Sequence, residues 1–399
     1  MRILMISDVY FPRVNGVSTS IYTFRQCLID KGHQVTLVVP EYPESIEDDE
    51  SIIRISSRFV PFDPEDRMMK YREVLKIVPQ LRSLNFDVLH IQTPFVAYYA
   101  GEKLADLLSI PTVITYHTLF EEYLYNYIEF LPKSWLRALA RRFSTNQCNK
   151  VDSVIVPSSA IEKRLAEYGV NTPMARLPTG IDLSRFSKGD GDRFREAYGI
   201  PFDRPVMMYI GRVAHEKNID FLVEVTANVK EKIPNILLVV AGEGPAENHI
   251  RQLVLKYDLI KNVMFVGYLD RLSELCDCYR AGDVFVFSSR TETQGLVLLE
   301  AMALGVPVVS TAILGTADVL TNGDGAIIAD DNIEHFSYSV TKLLLSPELQ
   351  QTLSKKGIEY VKNWGSDESA KRLLEHYEEV VSRSQCEVER LLPIVKDNG

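Results

Sequence analysis

Short, mostly apolar strand candidates alternate with helical segments along nearly the whole chain, and this alternation restricts the possible folds more than any other feature. A first series of candidates lies at 3–6, 34–39, 86–91, 111–116 and 153–156. A second series lies at 206–210, 236–241, 263–266, 284–287 and 306–310. Apolar strands separated by helices are typical of parallel sheets covered on both faces. The sequence therefore predicts an α/β fold.

The length of the chain and the gap between the two series predict two domains. A chain of 399 residues exceeds the size at which one core stops growing. Residues 178–200 are rich in Gly, Asp and Ser and are predicted to be a linker. We expect two Rossmann-like parallel-sheet domains at 1–182 and 200–363, facing across a cleft, with helices of about 365–399 packing back on the first. Ligands of such sheets bind beyond the carboxyl ends of the strands.

Charge and apolar runs exclude several classes of protein. A net charge of −10 argues against nucleic-acid binding. No run of eighteen apolar residues is present, and Asp8 interrupts the first apolar stretch too early for a signal peptide. The five cysteines include no CxxC pair, which favours a reducing compartment without a zinc site. We therefore expect a cytoplasmic protein.

The segment after the predicted strand 284–287 has the composition of a ligand site at the start of a helix. The first amides of a helix are unpaired and attract a diphosphate, and glycine lets the backbone approach it closely. Glu292 can accept hydrogen bonds from sugar hydroxyls and is also a candidate catalytic residue, and Glu300 is near enough to reach a ribose diol. The candidate donor-binding residues here are Glu292, Thr293, Gln294, Gly295, Leu296 and Glu300.

The alternative is that both carboxylates are solvent-facing ends of a surface helix. That alternative is weaker for Glu300, because apolar residues flank it on both sides. A buried carboxylate requires a partner, and a ligand hydroxyl would serve.

The Glu-x7-Glu pattern of Glu292 and Glu300, with Gly295 and the Leu-Glu-Ala-Met-Ala helix, resembles the retaining glycosyltransferases of family 4, which have the GT-B fold. The resemblance covers nearly the whole chain and extends to the branch of diacylglycerol glucosyltransferases and GDP-mannose-dependent α-mannosyltransferases. It implies transfer of a hexose from UDP-glucose, UDP-N-acetylglucosamine or GDP-mannose to a lipid or glycan hydroxyl, with retention of anomeric configuration.

The loop at 211–218 resembles the Gly-Arg…Lys loop of the same family. The resemblance implies that Arg212 and Lys217 clamp the donor diphosphate and act in catalysis. Two cations at the end of a strand would offset the charge on the leaving nucleotide, so we expect no metal and no other cofactor. The Asp-x-Asp sequence at 190–192 falls in the predicted linker rather than at a strand end.

The first domain carries two further motifs of the resemblance. Asn15-Gly16-Val17 matches the family's glycine loop, although many relatives have a glycine where this chain has Asn15. Gly16 is predicted to approach the donor phosphate or the acceptor. A lone histidine is usually a satisfied, half-buried side chain, but the resemblance places His117 near the reacting carbon of the sugar, as a catalytic residue.

Two segments of the first domain bear on the acceptor. Residues 119–125, with Glu121 and Glu122, resemble the branch that acts on lipid acceptors, or form an aromatic helix packed at the domain edge. Between Lys133 and Lys150 there are five cations and no acid, with an apolar stripe at helical spacing. This helix either contacts anionic lipid headgroups at the inner face of the membrane or presents a solvated face.

Two other functions remain possible from the sequence. A nucleotide-sugar epimerase on the same fold would use the donor site without an acceptor. A sensor that binds nucleotide sugars without catalysis is the alternative that is not an enzyme.

Overall fold

The computed structural model describes residues 1–43, 48–60, 63–119, 133–269, 274–320 and 324–391, which form two compact units. Unit 1 contains the described residues up to 180 together with those from 366 onward. Unit 2 contains residues 181–365. The described residues of each unit carry an extended parallel sheet of their own.

The sheet of unit 1 has seven strands, all parallel. In spatial order they are β3 (Ile52–Ile55), β2 (Gln34–Pro40), β1 (Arg2–Ile6), β6 (Val88–Ile91), β7 (Thr112–Thr115), β8 (Ser153–Val156) and β9 (Met174–Arg176). A separate antiparallel pair consists of β4 (Ser57–Val60) and β5 (Asp63–Met69). All five predicted strands are present within two residues of their predicted bounds, whereas the short edge strands β3 and β9 were not predicted.

Among the described residues of unit 1 that precede residue 181, six segments are helical. They are α1 (Gly16–Asp30), α2 (Tyr71–Lys76), α3 (Val78–Arg82), α4 (Val96–Leu108), α5 (Lys133–Cys148) and α6 (Ser159–Tyr168). Helix α1 begins at Gly16 because Asn15 caps it. The Asn15 side chain accepts from the Ser18 amide at 2.9 Å, and the Ser18 hydroxyl accepts from the Asn15 amide at 2.9 Å.

The sheet of unit 2 has six parallel strands in doubly wound order. In spatial order they are β12 (Val263–Gly267), β11 (Leu237–Ala241), β10 (Val206–Ile210), β13 (Val284–Phe287), β14 (Val308–Ser310) and β15 (Ala326–Ile328). The order reverses between β10 and β13, so the loops that leave these two strands diverge and open a crevice at their carboxyl ends. The five predicted strands are confirmed, and β15 was not predicted.

The helices of unit 2 begin inside the segment that the sequence predicts as a linker. They are α7 (Gly191–Ala197), α8 (Ile219–Lys230), α9 (Glu247–Lys256), α10 (Leu275–Ala281), α11 (Leu296–Ala303), α12 (Gly315–Leu320), α13 (Ile333–Leu344) and α14 (Pro347–Tyr360). Phe186 and Phe194 are buried in the core of unit 2, so residues 181–200 are part of this unit rather than a linker. Asp190 of the Asp-x-Asp sequence caps α7 by accepting from the Arg193 amide at 3.1 Å.

The last helix, α15 (Ser366–Leu391), belongs to unit 1 and packs against α1. Its apolar side chains recur at helical spacing, and Ala370, Leu373, Tyr377 and Val380 are buried in the unit 1 core. None of the helices in the described part of the chain has the length and apolarity needed to cross a bilayer.

Candidate active site

Two loops meet at the switch point of the unit 2 sheet. The loop after β10 ends at Asn218, whose left-handed backbone (φ 57°) turns the chain into α8. The Asn218 side-chain amide donates to the Ser288 carbonyl at 3.2 Å, and the Ser288 hydroxyl donates to the Asn218 carbonyl at 2.9 Å. This reciprocal pair fixes the loop 211–218 against the end of β13. Neither residue was predicted to matter, although both stand in segments that the sequence analysis selects.

The joined loops bring two predicted site residues into contact. Lys217 Nζ lies 2.5 Å from Glu292 Oε1, and both side chains are largely buried. Arg212 lies on the same loop and is half-buried; its carbonyl accepts a hydrogen bond from the buried Tyr209 hydroxyl at 3.1 Å. Burial, reinforced by the negative charges of Glu292 and Glu216, holds the pKa of Tyr209 well above its usual range. This end of the sheet therefore holds two cations beside carboxylates.

The segment from Glu292 to Gly295 is held in place by a second loop. The Gly315 amide donates to the Glu292 carbonyl at 2.9 Å. A Cβ atom on Gly315 would lie 2.0 Å from the Thr293 carbonyl oxygen, so only glycine allows this approach. Gly295 has a φ of 94°, a conformation that favours glycine, and Leu296 begins α11 directly after it. The sequence analysis missed Gly315, whose position after a predicted strand was the available signal.

Glu300 is buried inside unit 2, with 2% of its surface exposed. The Tyr279 hydroxyl donates to Glu300 Oε2 at 2.8 Å. The solvent-facing alternative is therefore wrong for Glu300. Its carboxylate has the partner that burial requires, and the contact with a ribose diol stays a prediction.

Unit 1 has a pocket at the carboxyl ends of β6 and β7. Its polar lining includes Gln92, Thr93, Thr115, His117, Thr118 and Gln147. His117 Nε2 lies 2.9 Å from Gln92 Oε1, so the ring donates to the amide oxygen. Burial lowers the pKa of His117 to about 4, which keeps the imidazole neutral near pH 7. His117 is therefore a neutral ring, and its hydrogen bond to Gln92 fixes it in the wall of the pocket.

Asp8 lies at the switch point of the unit 1 sheet and was not among the predicted site residues. Its carboxylate accepts from the Thr93 hydroxyl at 2.9 Å and from the Ala97 amide at 3.0 Å, which fixes the end of β1 to the start of α4. Burial raises the pKa of Asp8 to about 6, although these hydrogen bonds oppose the rise. Asp8 therefore links two loops that border the pocket.

Gly16 begins α1 in unit 1, and the protein itself does not require glycine there. A Cβ atom on Gly16 would meet no atom within 4 Å. Asn15 is the helix cap. A requirement for Gly16 would therefore come from a bound ligand.

The predicted site residues divide between the units. Those of unit 2 are Arg212, Lys217, Glu292, Thr293, Gln294, Gly295, Leu296 and Glu300, whereas Gly16 and His117 belong to unit 1. Glu121 and Glu122 lie outside the described residues. Among the residues that are described, no group of three or more His, Cys, Asp or Glu side chains is arranged to hold a metal ion.

Helix α5 exposes two large apolar side chains beside its cations. Trp135 is 71% exposed and Leu139 58%, whereas Leu136 and Ala140 are buried. The apolar side chains of α5 therefore do not all pack into the core of unit 1. Trp135 and Leu139 share a face with Arg142, because residues four and seven apart lie on one side of a helix.

Comparison with known proteins gives consistent results for both units. Residues 14–185 match Glycosyltransferase Family 4, and residues 190–360 match Glycosyl transferases group 1. The chain is 33% identical to an alpha-monoglucosyldiacylglycerol synthase of Streptococcus pneumoniae over 78% of this chain and 71% of the relative. It is 26% identical to a GDP-mannose-dependent alpha-mannosyltransferase of Mycobacterium tuberculosis over 96% of this chain and 98% of the relative. The structure of a sucrose-phosphate synthase from Thermosynechococcus elongatus aligns with a TM-score of 0.78 at 23% identity, covering 96% of this chain and 99% of that one.

Proposed function

The chain belongs to the family 4 glycosyltransferases and has their GT-B fold, and we propose that it transfers a hexose from a nucleotide-sugar donor to a lipid hydroxyl with retention of anomeric configuration. Membership of this family makes the chain an enzyme, a glycosyltransferase. It therefore argues against an epimerase and against a sensor without catalysis. The donor, the acceptor and the stereochemistry are the parts that we propose.

The ion pair between Lys217 and Glu292 is the observation that carries the proposal. An isolated buried cation or carboxylate is costly, so the two groups pair at 2.5 Å. A donor diphosphate offers Lys217 a stronger partner. The exchange releases Glu292, which then accepts hydrogen bonds from hydroxyls of the donor sugar. Arg212, on the same loop, adds a second cation for the leaving phosphate.

Sugar transfer develops negative charge on the departing phosphate and positive charge on the anomeric carbon. Preorganised cations at the phosphate lower this barrier, and the amides at the start of α11 contribute in the same way. No side chain is assigned as a covalent nucleophile. We propose a same-face substitution in which the donor phosphate helps to deprotonate the acceptor, with His117 near the reacting carbon and no metal ion or other cofactor.

The names of two relatives support the proposed donor and the proposed acceptor, respectively. One is named as GDP-mannose-dependent, which favours a nucleotide-sugar donor. Another is named as a synthase of monoglucosyldiacylglycerol, which favours a lipid acceptor. For this chain, UDP-glucose, UDP-N-acetylglucosamine and GDP-mannose are the donors to compare.

A thermal-shift panel followed by product analysis tests this function. A ligand at one hundred times its Kd stabilises a protein by about 2.7 kcal/mol, so the cognate nucleotide sugar should raise Tm measurably. The Lys217→Ala variant should lose that rise, whereas Lys356→Ala, on a surface pair with Asp324, should keep it. The selected donor is then incubated with dioleoylglycerol in vesicles, and the anomer of the glycolipid is determined by NMR. Absence of a shift with all three donors, or an inverted anomer, would contradict the proposal.

The exposed face of α5 supports a peripheral contact with the cytoplasmic face of a membrane. Trp135 and Leu139 present apolar surface, and the neighbouring arginines suit anionic headgroups, at about 1 kcal/mol per cation near the surface. We propose an anionic bilayer as the partner of this face, which would bring the enzyme to its lipid acceptor.

Vesicle sedimentation tests this contact. The wild type should bind phosphatidylglycerol vesicles more strongly than phosphatidylcholine vesicles, and the Trp135→Ala/Leu139→Ala variant should bind at least tenfold more weakly. The matched control is Tyr338→Ala/Leu345→Ala, which removes two exposed apolar side chains of unit 2. Equal loss in both variants would show that α5 has no special role in membrane binding.

A further inference from the structure

Two hydrogen-bonded side-chain pairs connect β6 and β7 in unit 1. His90 Nε2 lies 2.6 Å from Thr115 Oγ1. Two residues further along the chain in each case, Gln92 and His117 form the pair already described. The His90–Thr115 pair lies within the two strands, and the Gln92–His117 pair lies beyond their carboxyl ends. The second pair includes a residue of the proposed catalytic site, and the first supports it from within the sheet.

Helix α15 contributes a third member to the lower pair. The Tyr377 hydroxyl lies 2.5 Å from His90 Nδ1. Tyr377 and His90 are fully buried, and Thr115 is 9% exposed. Residues from three distant parts of the chain thus form one continuous line of hydrogen bonds, Tyr377–His90–Thr115. None of its members was predicted as a site residue.

The burial of Tyr377 fixes the direction of these hydrogen bonds. Within the described part of unit 1, His90 is the one hydrogen-bond partner of the Tyr377 hydroxyl. A buried O–H without an acceptor is costly, so Tyr377 donates to Nδ1 of His90. Burial holds the pKa of His90 well below its usual range, so the ring is neutral and carries its single hydrogen on Nε2. His90 therefore donates to Thr115 Oγ1.

This direction leaves the hydroxyl hydrogen of Thr115 pointing away from His90. The described residues provide no acceptor for that hydrogen, and Thr115 lines the pocket that also holds His117. A threonine whose hydroxyl oxygen accepts from a fixed imidazole can still donate its O–H to another acceptor. An oxygen atom that enters the pocket would complete the hydrogen bonding of this hydroxyl.

We propose that Thr115 is a substrate-binding residue whose hydroxyl donates a hydrogen bond to an oxygen of the acceptor, and that His90 and Tyr377 are positioning residues that set its direction. An acceptor with a free hydroxyl, such as a glycerolipid, offers such an oxygen. The inference rests on the proposed transferase function, in which unit 1 receives the acceptor.

The Thr115→Val variant tests the binding role because it keeps the shape and removes the hydroxyl. With dioleoylglycerol in phosphatidylglycerol vesicles and the donor selected by thermal shift, the acceptor KM should rise about fivefold, the effect of one net hydrogen bond. The donor KM should not change. Thr115→Ser restores the hydroxyl and should return the acceptor KM to within about twofold of wild type.

The Tyr377→Phe variant tests the positioning role. Without the Tyr377 donor, the ring hydrogen can move to Nδ1, and Nε2 then accepts from Thr115, which turns the threonine hydrogen away from the pocket. Tyr377→Phe should therefore raise the acceptor KM about as much as Thr115→Val does. The double variant should be no worse than either single variant, because both remove the same hydrogen bond.

The matched control is Ser153→Ala. It removes a different polar contact between α15 and the sheet, the 2.9 Å hydrogen bond between Ser153 and His376, which does not include Thr115. Ser153→Ala should change thermal stability about as much as Tyr377→Phe but leave the acceptor KM unchanged. Equal KM effects in the control, additive effects in the double variant, or a rise in donor KM alone would overturn the inference. If the wild type itself transfers no sugar to dioleoylglycerol, the proposed function fails first.

Discussion

The candidate site of unit 2 contains a charged pair, whereas His117 in the pocket of unit 1 is neutral and hydrogen-bonded. In unit 2, Lys217 meets Glu292 at the switch point of the sheet. In unit 1, His117 is neutral and bonded to the Gln92 amide. The difference fits two kinds of ligand. A diphosphate is bound by cations, whereas a hydroxyl requires only directed donors and acceptors.

The two regions also differ in how their residues are brought together. The unit 2 residues lie on a few continuous loops that leave adjacent strands. The unit 1 residues come from the ends of two strands and, through Tyr377, from the last helix of the chain. A change in unit 2 should therefore act mainly on the donor, and a change in unit 1 mainly on the acceptor.

Removing a charge from unit 2 should have the largest effect. Arg212→Ala should lower kcat by about 10²–10³-fold, the usual loss when one group that stabilises developing charge is removed. Steady-state transfer assays at saturating donor measure this. The control is Arg290→Ala, which breaks an exposed pair with Asp331 and should change kcat less than twofold. Wild-type turnover in Arg212→Ala would remove the leaving-group assignment.

The Gly315→Ala variant should weaken donor binding because it displaces the segment before α11. The new Cβ would collide with the Thr293 carbonyl, so the segment before α11 must move. We expect the donor KM to rise at least about tenfold, since misplaced groups lose oriented binding. Gly16→Ala is the unit 1 counterpart, because its Cβ meets open space. Loss of activity in Gly16→Ala with an unchanged Tm would show that a ligand approaches that backbone.

Glu300 allows its structural and ligand roles to be separated. Glu300→Ala should raise the donor KM about tenfold and lower the free energy of unfolding by about 1–3 kcal/mol, since the buried Tyr279 hydroxyl loses its acceptor. Tyr279→Phe removes the same internal hydrogen bond but keeps the carboxylate. If Tyr279→Phe raised the donor KM as much as Glu300→Ala does, the carboxylate would act through the fold rather than through the ribose.

Replacing His117, the neutral ring of unit 1, should have the smallest effect. This effect should appear in the pH dependence of the unfolding free energy. The pKa of His117 is about 4 in the folded chain and near 6.5 when unfolded, so its contribution is complete above pH 6.5 and is lost as pH falls towards 4. Between pH 7 and 5 the wild type should lose about 1–2 kcal/mol more unfolding free energy than His117→Asn. Urea unfolding at both pH values measures this, with the exposed His335→Asn as control.

The buried carboxylate of Asp8 should change the stability of the protein with pH in the opposite direction. Its pKa is raised to about 6 in the folded chain, so its contribution is complete below pH 3.8 and is lost as pH rises through 6. The Asp8→Asn variant should therefore gain stability relative to the wild type between pH 4 and 7. A steeper loss in that variant over the same range would contradict the assigned burial effect.

The sequence alone predicted the two parallel sheets and most of the candidate donor site. Strand periodicity is local, and the residues of the donor motif are close together along the chain, so their spacing was visible without the fold. Short edge strands such as β9 (Met174–Arg176) and β15 (Ala326–Ile328) were missed because three residues give too little periodicity. The 181–200 segment was misassigned because its polar composition hid Phe186 and Phe194.

Only the tertiary structure decided which groups pair. Lys217 and Glu292 are 75 residues apart, and Thr115 and Tyr377 are joined through His90 from three distant segments. The close approach of Gly315 to Thr293 likewise depends on how two loops pack. Side-chain hydrogen bonds form over about 3 Å, whereas sequence patterns report only periodicity and spacing within one segment. The residue types therefore indicated the chemistry of each site, and the fold determined which side chains pair with each other.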